Sequence, residues 1–147
     1  MNAISLYEVS PRDGLQGLPR AIPLRKKIKL IKKLKRAGIE DIEVGSLVHP
    51  SILPMRESGK LYRKTGGDLL VVNEKGFDRA IELGLESVNV VISPDDDFNK
   101  SNQKNTYQNI MSIYQNKCKD IPINRLYISC AFSQGVSRKA VLDCVKW

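Results

Sequence analysis

Short apolar runs alternate with helical patterns along this sequence, and that alternation restricts the fold more than any other feature. Five runs have the length and the β-branched or aromatic content that buried strands favour. They are residues 4–9, 39–44, 69–72, 88–92 and 126–132. Strands that alternate with helices predict a parallel sheet with right-handed crossovers. We therefore expect an α/β protein of about five βα units, for which a doubly wound open sheet is the generic alternative.

Ordinary start and stop signals delimit the helices between these runs. Pro23 suits the first position of a helix, whose apolar residues recur at helical spacing until Gly38 stops it. Asn73 is a plausible cap for the third helix, and Gly84 is its stop signal. The expected helices are residues 23–37, 53–64, 74–83, 93–118 and 137–147.

Composition indicates one globular domain, residues 1–147, with 41% hydrophobic residues and no internal linker. No apolar run approaches the roughly 20 residues that span a bilayer. The first residues, Met1–Ser5, lack the basic and apolar regions of a signal peptide. The three cysteines have no metal-type spacing, so we expect a reducing compartment such as the cytoplasm.

Positive charge is concentrated in one expected helix. The formal net charge is +8, and eight of the twelve residues from Arg25 to Arg36 are Lys or Arg. Such a helix can contact nucleic acid, an anionic membrane or a polyanionic small molecule, and a solvated outer face is the ordinary alternative. Nucleic-acid binding is not expected, because the segment has little aromatic interleaving and no recognition motif.

Polar residues follow the expected strands where a parallel fold places its site, at the carboxyl ends of the strands. Carboxylates, amides and an arginine suit a hard, oxygen-bound cation and an anionic substrate. These residues are Arg12, Asp13 and Gln16 after the first strand, Glu43, Ser46 and His49 around the end of the second, Asn73 and Lys75 after the third, Ser93 and Asn102 after the fourth, and Ser129 on the fifth.

The segment Glu8–Gln16 reads Glu-Val-Ser-Pro-Arg-Asp-Gly-Leu-Gln and is similar to the opening signature of the hydroxymethylglutaryl-CoA lyase family. Related Claisen-condensing synthases share its Arg-Asp-Gly core but have a different lead-in, so Val-Ser-Pro and Leu15 favour the lyases. Order and spacing are kept over nearly the whole chain. The further matches are residues 29–38, 42–50 and 73–76, and more weakly 98–102 and 127–130.

This resemblance implies a (β/α)8 TIM-barrel fold, truncated here to about five βα units. It implies metal-dependent cleavage of 3-hydroxy-3-methylglutaryl-CoA to acetyl-CoA and acetoacetate, with Mg²⁺ or Mn²⁺ as cofactor. Asp13 would be a ligand of that cation, against a cap or turn aspartate. Arg12 would neutralise charge that develops on the thioester enolate, against a structural salt bridge.

Four further residues would bind substrate by the same resemblance: Gln16, Glu43, Ser46 and Asn73. Glu43 carries a charge inside the barrel and needs a partner, for which Arg12 is the obvious choice. The alternatives are a surface glutamine, a turn serine and, for Asn73, the helix cap. We expect no functional role for His49, where the family usually has a small residue.

The remaining candidates are expected to be structural. Lys75 and Asn102 are surface or loop-ordering residues in this interpretation. Cys130 would be a packed core thiol on the fifth strand, and Cys118 and Cys144 would be structural thiols on helices.

The sequence also departs from the family. The family's His-x-His and asparagine metal ligands and its catalytic cysteine come from the second half of the barrel and have no counterpart here. We expect the chain to be inactive alone, as a truncated product or part of a split gene. The alternative is a non-catalytic half-barrel remnant that binds acyl-CoA or a protein. The break inside the last expected helix, at Trp147, favours truncation. The expected partners are an acyl-CoA and either a complementing C-terminal half or a second copy joined through open sheet edges.

Overall fold

Parallel strands alternate with helices through residues 4–146, the part of the chain that the computed structural model describes. The expectations about residues 1–3 and about the end of the last helix at Trp147 lie outside the described residues. The chain divides into two compact units, Met1–Leu70 and Val71–Trp147, and each is described by itself. The single domain expected from composition stays a prediction.

The first unit contains the first two βα repeats and most of the third strand. Strand β1 pairs in parallel with β2, and β2 pairs in parallel with β3. Its elements are β1 (Tyr7–Glu8), α1 (Asp13–Gln16), α2 (Leu24–Arg36), β2 (Asp41–Ser46), a 3-10 turn (Leu53–Met55), α3 (Ser58–Thr65) and β3 (Asp68–Val71).

Several boundaries in this unit differ from the expected ones. Strand β1 covers Tyr7–Glu8 and not residues 4–9, and α1 was not expected. The second strand begins two residues later than expected, because Gly38 takes a positive φ of 86° and the Ile39 amide bonds back to the Leu34 carbonyl at 3.2 Å. The helix expected over residues 53–64 is divided into the 3-10 turn and α3.

Apolar side chains from the strands and from α2 and α3 form the core of this unit. Ile31, Leu61 and Leu69 have no exposed surface. Lys27 lies among them with 3% exposure, and its ammonium group donates to the Pro54 carbonyl oxygen of the 3-10 turn. Burial lowers the pKa of Lys27, and the nearby Glu57 carboxylate partly opposes that shift.

The second unit contains two further parallel strands and four helices. Strand β4 pairs in parallel with β5, and the rings of Phe77 and Tyr114 pack with centroids 5.6 Å apart in its core. Its elements after β3 are α4 (Glu74–Glu82), β4 (Val88–Ile92), α5 (Asp96–Gln103), α6 (Tyr107–Lys117), β5 (Ile123–Ile128) and α7 (Arg138–Asp143).

The single helix expected over residues 93–118 is wrong, because two helices occupy that segment. Lys104 ends α5 in the left-handed conformation, with φ of 56°. Thr106 then starts α6 by accepting a hydrogen bond from the Asn109 amide. A left-handed residue inside a continuous helix breaks its hydrogen-bond ladder.

The fifth strand is also shorter at its end than expected. It ends at Ile128, so Ser129 and Cys130 lie in the following turn and not on the strand. Cys130 has φ of 58° and is partly exposed, so the expected packed core thiol is wrong. Cys144 is buried, whereas Cys118 is partly exposed.

Among the described residues, no helix is both long enough and apolar enough to cross a membrane.

Candidate functional site

The first unit brings Arg12 and Glu43 together. The Arg12 Nε donates to the Glu43 Oε1 at 2.5 Å. Glu43 has no exposed side-chain surface and Arg12 has 12%. Since a buried charge is costly without an opposite partner, this contact allows β2 to carry a carboxylate at a buried position. The predicted pairing is therefore confirmed.

Asp13 holds the same guanidinium from the exposed side. Its Oδ1 accepts from the Arg12 Nη1 at 2.7 Å, and 67% of its side chain is exposed. The Asp13 amide bonds to the Val9 carbonyl at 2.7 Å, which folds the chain directly from β1 into α1. Arg12 therefore lies between one buried and one exposed carboxylate, in an orientation set by both.

Helix α1 directs two side chains toward β2. Arg12 precedes the first residue of the helix and Gln16 ends it, four residues later, so the two side chains lie on one face. Arg12 contacts Glu43, and the Ser46 hydroxyl donates to the Gln16 Oε1 at 2.9 Å. Gln16 and Ser46, both predicted to contact substrate, therefore contact each other in this unit.

A bulge in β2 lets Glu43 and Ser46 both reach that helix. Glu43 is opposite Asp68 and Gly45 is opposite Leu69, so Val44 is an extra residue in the pairing. In a regular strand, residues three apart point to opposite faces of the sheet. The bulge cancels that alternation, and Glu43 and Ser46 share the face next to α1.

Ser58 supports the end of the bulged strand, and the sequence analysis missed it. Its hydroxyl accepts from the Ser46 amide at 3.2 Å and donates to the Met55 carbonyl at 2.8 Å. A Cβ on Gly45 would lie 2.4 Å from the Ser58 Oγ, so only glycine allows this approach. The Gly45–Ser46 pair was the available signal, but it does not reveal which distant serine fills the space.

The start of the motif is ordered by a local hydrogen bond. The Ser10 amide donates to the Glu8 Oε1 at 2.7 Å, and this bond is the main cause that lowers the pKa of Glu8.

A second contact that the sequence did not reveal joins Tyr7 to the first residue of β3. The Tyr7 hydroxyl donates to the Asp68 Oδ2 at 2.7 Å.

Asn73 lies in the second unit and caps α4. Its side chain accepts from the Gly76 amide at 3.0 Å, which is the helix-cap alternative of the sequence analysis. Its role in lining a substrate site stays a prediction.

The weaker candidates make local contacts. His49 is exposed and its Nδ1 accepts from the Ser51 amide at 3.2 Å. Asn102 donates to the Phe98 carbonyl at 2.9 Å within α5, and Lys75 is exposed on α4. These positions agree with surface or loop-ordering roles.

The fourth strand is followed by a buried polar turn. Ser93 donates to the Ser129 carbonyl at 3.0 Å, and its amide donates to the Asn99 Oδ1 at 3.2 Å. Because Asn99 also donates back to the Ser93 carbonyl at 2.8 Å, these groups satisfy one another inside the second unit.

The described residues do not form a cation site by themselves. Among residues 4–146, no group of three or more His, Cys, Asp or Glu side chains is placed to hold a metal ion. Asp13 has the oxygen chemistry that Mg²⁺ prefers, but one carboxylate cannot fill a coordination shell of six. A cation held by Asp13 would therefore need further ligands, such as amide or carbonyl oxygens, water or side chains beyond these residues.

Comparison with known proteins gives consistent matches over this chain. The model of the HMGL-like family matches residues 3–145. The (R)-citramalyl-CoA lyase of Chloroflexus aurantiacus is 32% identical over 123 residues, which are 72% of this chain and 39% of that lyase. The 3-hydroxy-3-isohexenylglutaryl-CoA/hydroxy-methylglutaryl-CoA lyase of Pseudomonas aeruginosa is 38% identical over 106 residues, 67% of this chain and 35% of that lyase.

A solved structure shows the same fold. The HMG-CoA lyase of Acinetobacter baumannii, in complex with coenzyme A and 3-methylmalate, aligns with a TM-score of 0.85 and 28% identity. The alignment covers 99% of this chain and 53% of that chain. The chain thus spans about half of this solved lyase and less than half of the curated relatives it matches. The predicted fold class, an α/β fold of TIM-barrel type with five of the eight βα units, is confirmed.

Proposed function

The chain belongs to the HMGL-like family, and from this membership we propose that it supplies the first half of an acyl-CoA lyase site. The curated relatives that it matches are lyases that act on acyl-CoA thioesters. The proposed reaction is cleavage of 3-hydroxy-3-methylglutaryl-CoA to acetyl-CoA and acetoacetate. The observation that carries the proposal is the Arg12 guanidinium, held between Glu43 and Asp13 where β1 ends.

The charge of Arg12 and its orientation by two carboxylates support its proposed role. In the proposed step a base removes the proton of the C3 hydroxyl, which becomes the ketone carbonyl of acetoacetate as the bond between C2 and C3 breaks. The electron pair of that bond passes to the thioester and forms an enolate, which then takes up a proton at C2 to give acetyl-CoA. A guanidinium fixed beside the thioester oxygen stabilises that negative charge without reorganising during the step. Arg12 remains charged at any working pH, and Glu43 sets its orientation by the bond to Nε.

The other proposed contacts belong to substrate binding. Gln16 and Ser46 present an amide and a hydroxyl on the same face as Arg12 and suit a carboxylate or carbonyl of the substrate. Asn73 is proposed as a further contact from the second unit. Asp13 is proposed as one ligand of a divalent cation whose other ligands come from the remainder of the barrel.

Reconstitution tests the proposal directly. The chain would be co-expressed with the part of the Bacillus subtilis lyase that it does not match, and acetyl-CoA would be assayed with Mg²⁺ present. Thioester cleavage is the expected result. An assembled complex that shows no cleavage would contradict the proposal.

A matched pair of arginine variants tests the role of Arg12 in the same complex. Arg12→Gln should lower kcat by about 10²- to 10³-fold, the usual loss for a charge-stabilising donor. Arg20→Gln is the control, because Arg20 is exposed, and it should retain the activity of the parent complex. Equal losses in both variants would exclude a specific role for Arg12.

One observation favours a second candidate, a non-catalytic half-barrel that binds an acyl-CoA or a protein. Among residues 4–146, Asp13 does not belong to a group of three or more Asp, Glu, His or Cys side chains that could hold a metal ion. If the chain is such a binding module, the isolated chain should bind an acyl-CoA. Its affinity should not change when Mg²⁺ is chelated or when Asp13 is replaced by Ala. Loss of binding in either case would argue for the metal-dependent site.

A further inference from the structure

Two neighbouring helices of the first unit present a face of uncompensated positive charge. Helix α2 and helix α3 contain no Asp or Glu, although both are rich in Lys and Arg. Ten of their cationic side chains are exposed, and these define the α2–α3 basic face. They are Arg25, Lys26, Lys29, Lys32, Lys33, Lys35, Arg36, Lys60, Arg63 and Lys64.

The two helices present their charges together. The Lys35 ammonium group donates to the Thr65 carbonyl at the end of α3, at 2.6 Å. On the opposite side of α2, Ile31 is fully buried, so the apolar stripe of the helix is occupied by the core. The basic side chains therefore extend outward from a fixed support.

Few acidic side chains form ion pairs with the cations of the α2–α3 basic face. Among the described residues, Lys60 is the one member of the face with an ion pair, to Glu57 at 3.4 Å. Glu40 and Asp41 follow α2 and are exposed, but they lie beyond its end. Like charges at spacings of three and four residues along α2 destabilise a helix in isolation. A polyanionic partner would relieve that repulsion.

The composition of the face favours one kind of partner. Seven of the ten cations are lysines, which are hydrated point charges, whereas arginine forks suit paired contacts to individual phosphates. Neither helix carries Asn or Gln to read base edges. Two helices side by side are also wider than the DNA major groove, which admits a single helix. We propose that the α2–α3 basic face binds an anionic lipid surface through its lysines, without inserting into it.

The contact is independent of the proposed lyase function. The face consists of exposed residues of α2 and α3, and none of them is among the site residues of β1, α1 and β2. The attraction should depend on lipid charge and fall off within a Debye length of the surface, about 10 Å at 0.1 M salt.

Vesicle co-sedimentation of the full chain tests the proposal. The chain should sediment with vesicles that contain about one third phosphatidylserine, and not with pure phosphatidylcholine, at about 0.1 M salt. Raising the salt to about 0.5 M should release it. Failure to sediment with the anionic vesicles at the lower salt overturns the proposal.

Matched variants locate the contact. The triple variant Lys29→Gln, Lys32→Gln and Lys33→Gln should weaken binding by about 100-fold, since each lysine near the surface contributes about fivefold. A second triple variant with Lys→Arg at the same positions keeps the charge and should bind as the parent does. The control removes Lys100, Lys119 and Lys139, exposed residues of the second unit, by the same change to Gln and should bind within about twofold of the parent.

Two outcomes contradict the assignment even if vesicles bind. Equal weakening in the α2 and control variants would make the contact a consequence of net charge alone. Tighter binding to a random DNA or RNA duplex than to the vesicles, in the same buffer, would identify nucleic acid as the partner.

Discussion

At the scale of single residues, Arg12 and Glu43 form an ion pair of two largely buried side chains in the first unit. Both groups leave water almost completely, and each is tolerated because the other is present. Sequence reasoning could predict this pair, because a carboxylate in an otherwise apolar strand needs a cation and the opening motif supplies one. The pair therefore connects the stability of the unit to the proposed chemistry.

Glu43→Gln should lower the free energy of unfolding by about 3 kcal/mol, because the Arg12 guanidinium remains buried without an opposite charge on β2. The control is Lys60→Gln, which removes the 3.4 Å surface pair with Glu57 from its exposed side and should cost at most about 0.5 kcal/mol. Urea unfolding of the full chain measures both values. Similar midpoints for the two variants would show that Asp13 alone compensates Arg12.

Lys27 gives the stability of the first unit a pH dependence. Its pKa is lowered in the folded state from the ordinary 10.5, so the folded protein loses the proton before the unfolded chain does. Between the lowered pKa and 10.5 the unfolded state binds more protons, and stability must rise with pH. At pH values below that interval, Lys27 is charged in both the folded and the unfolded state. The folded protein then bears the full cost of removing that charge from water.

The variant Lys27→Met should lack this alkaline rise. The difference in unfolding free energy between the parent and Lys27→Met should shift in favour of the parent as pH increases toward 10.5. Lys26→Met, at an exposed position of the same helix, controls for the general loss of one lysine. A constant difference across this pH range would mean that Lys27 does not titrate differently in the folded protein.

Other residue-scale features could not be predicted. Ser58 contacts Ser46 from twelve positions away, and its sequence context is that of any helix-starting serine. Cys130 was expected on a strand, yet it takes a positive φ that its residue type rarely adopts. Both outcomes depend on tertiary packing, which local patterns do not encode.

At the scale of elements, the bulged strand β2 depends on a glycine that a Cβ would exclude. Gly45→Ala should destabilise the first unit by about 1–3 kcal/mol, because the added methyl would overlap the Ser58 side chain in a buried space. Gly17→Ala is the matched control, since a Cβ at Gly17 meets no heavy atom within 4 Å and its φ is −78°. Thermal unfolding compares the two.

A double variant checks the origin of that cost. Combining Gly45→Ala with Ser58→Gly removes the overlap but also the hydroxyl that accepts from the Ser46 amide. The two changes should therefore be non-additive, with the double variant more stable than the sum of the single effects indicates. Strict additivity would mean that Ser58 is not the group that excludes the methyl.

The elements differ in how well the sequence predicts them. Strand β4 has the expected bounds, because its apolar run lies between clear polar and glycine signals. The break between α5 and α6 was missed, because Lys104 is an ordinary helix former that here adopts a left-handed conformation. The predicted end of β5 lies beyond the observed end at Ile128, because the apolar run of the sequence continues into a turn.

At the scale of the whole molecule, charge is distributed unevenly along the chain. Residues 1–70 contain 14 Lys or Arg and 7 Asp or Glu, whereas residues 71–147 contain 10 and 9. Nearly all of the net charge of +8 thus belongs to the first unit. Composition predicted a basic helix, but its neighbour α3 became part of the same basic face only through packing.

Salt should therefore stabilise the first unit. Raising sodium chloride from about 0.05 M to about 0.5 M shortens the Debye length and should increase the free energy of unfolding. The triple Lys→Gln variant of α2 should be about 0.5–1.5 kcal/mol more stable than the parent at the lower salt, with a smaller rise. Identical salt responses would show that repulsion within α2 has no measurable cost.

The fold type was predictable from the βα alternation together with the opening motif, and the solved lyase confirms it. The contacts among the candidate site residues were only partly predictable from the sequence, since the pair of Arg12 and Glu43 was expected and the contact between Gln16 and Ser46 was not. Arg12, Glu43, Gln16 and Ser46 come together because α1 directly follows β1, and β1 pairs with β2. Asn73 follows in the second unit, where its side chain caps α4.

The bulge in β2 also affects how such sites can be recognised in other sequences. With Val44 as an extra residue, Glu43 and Ser46 share a face at a spacing of three. A regular strand would present the same two groups at a spacing of two. A search pattern that requires a spacing of three residues would therefore miss chains that build an equivalent site on a regular strand, with one residue fewer. Alignments of these strands should allow a one-residue gap between the glutamate and the glycine.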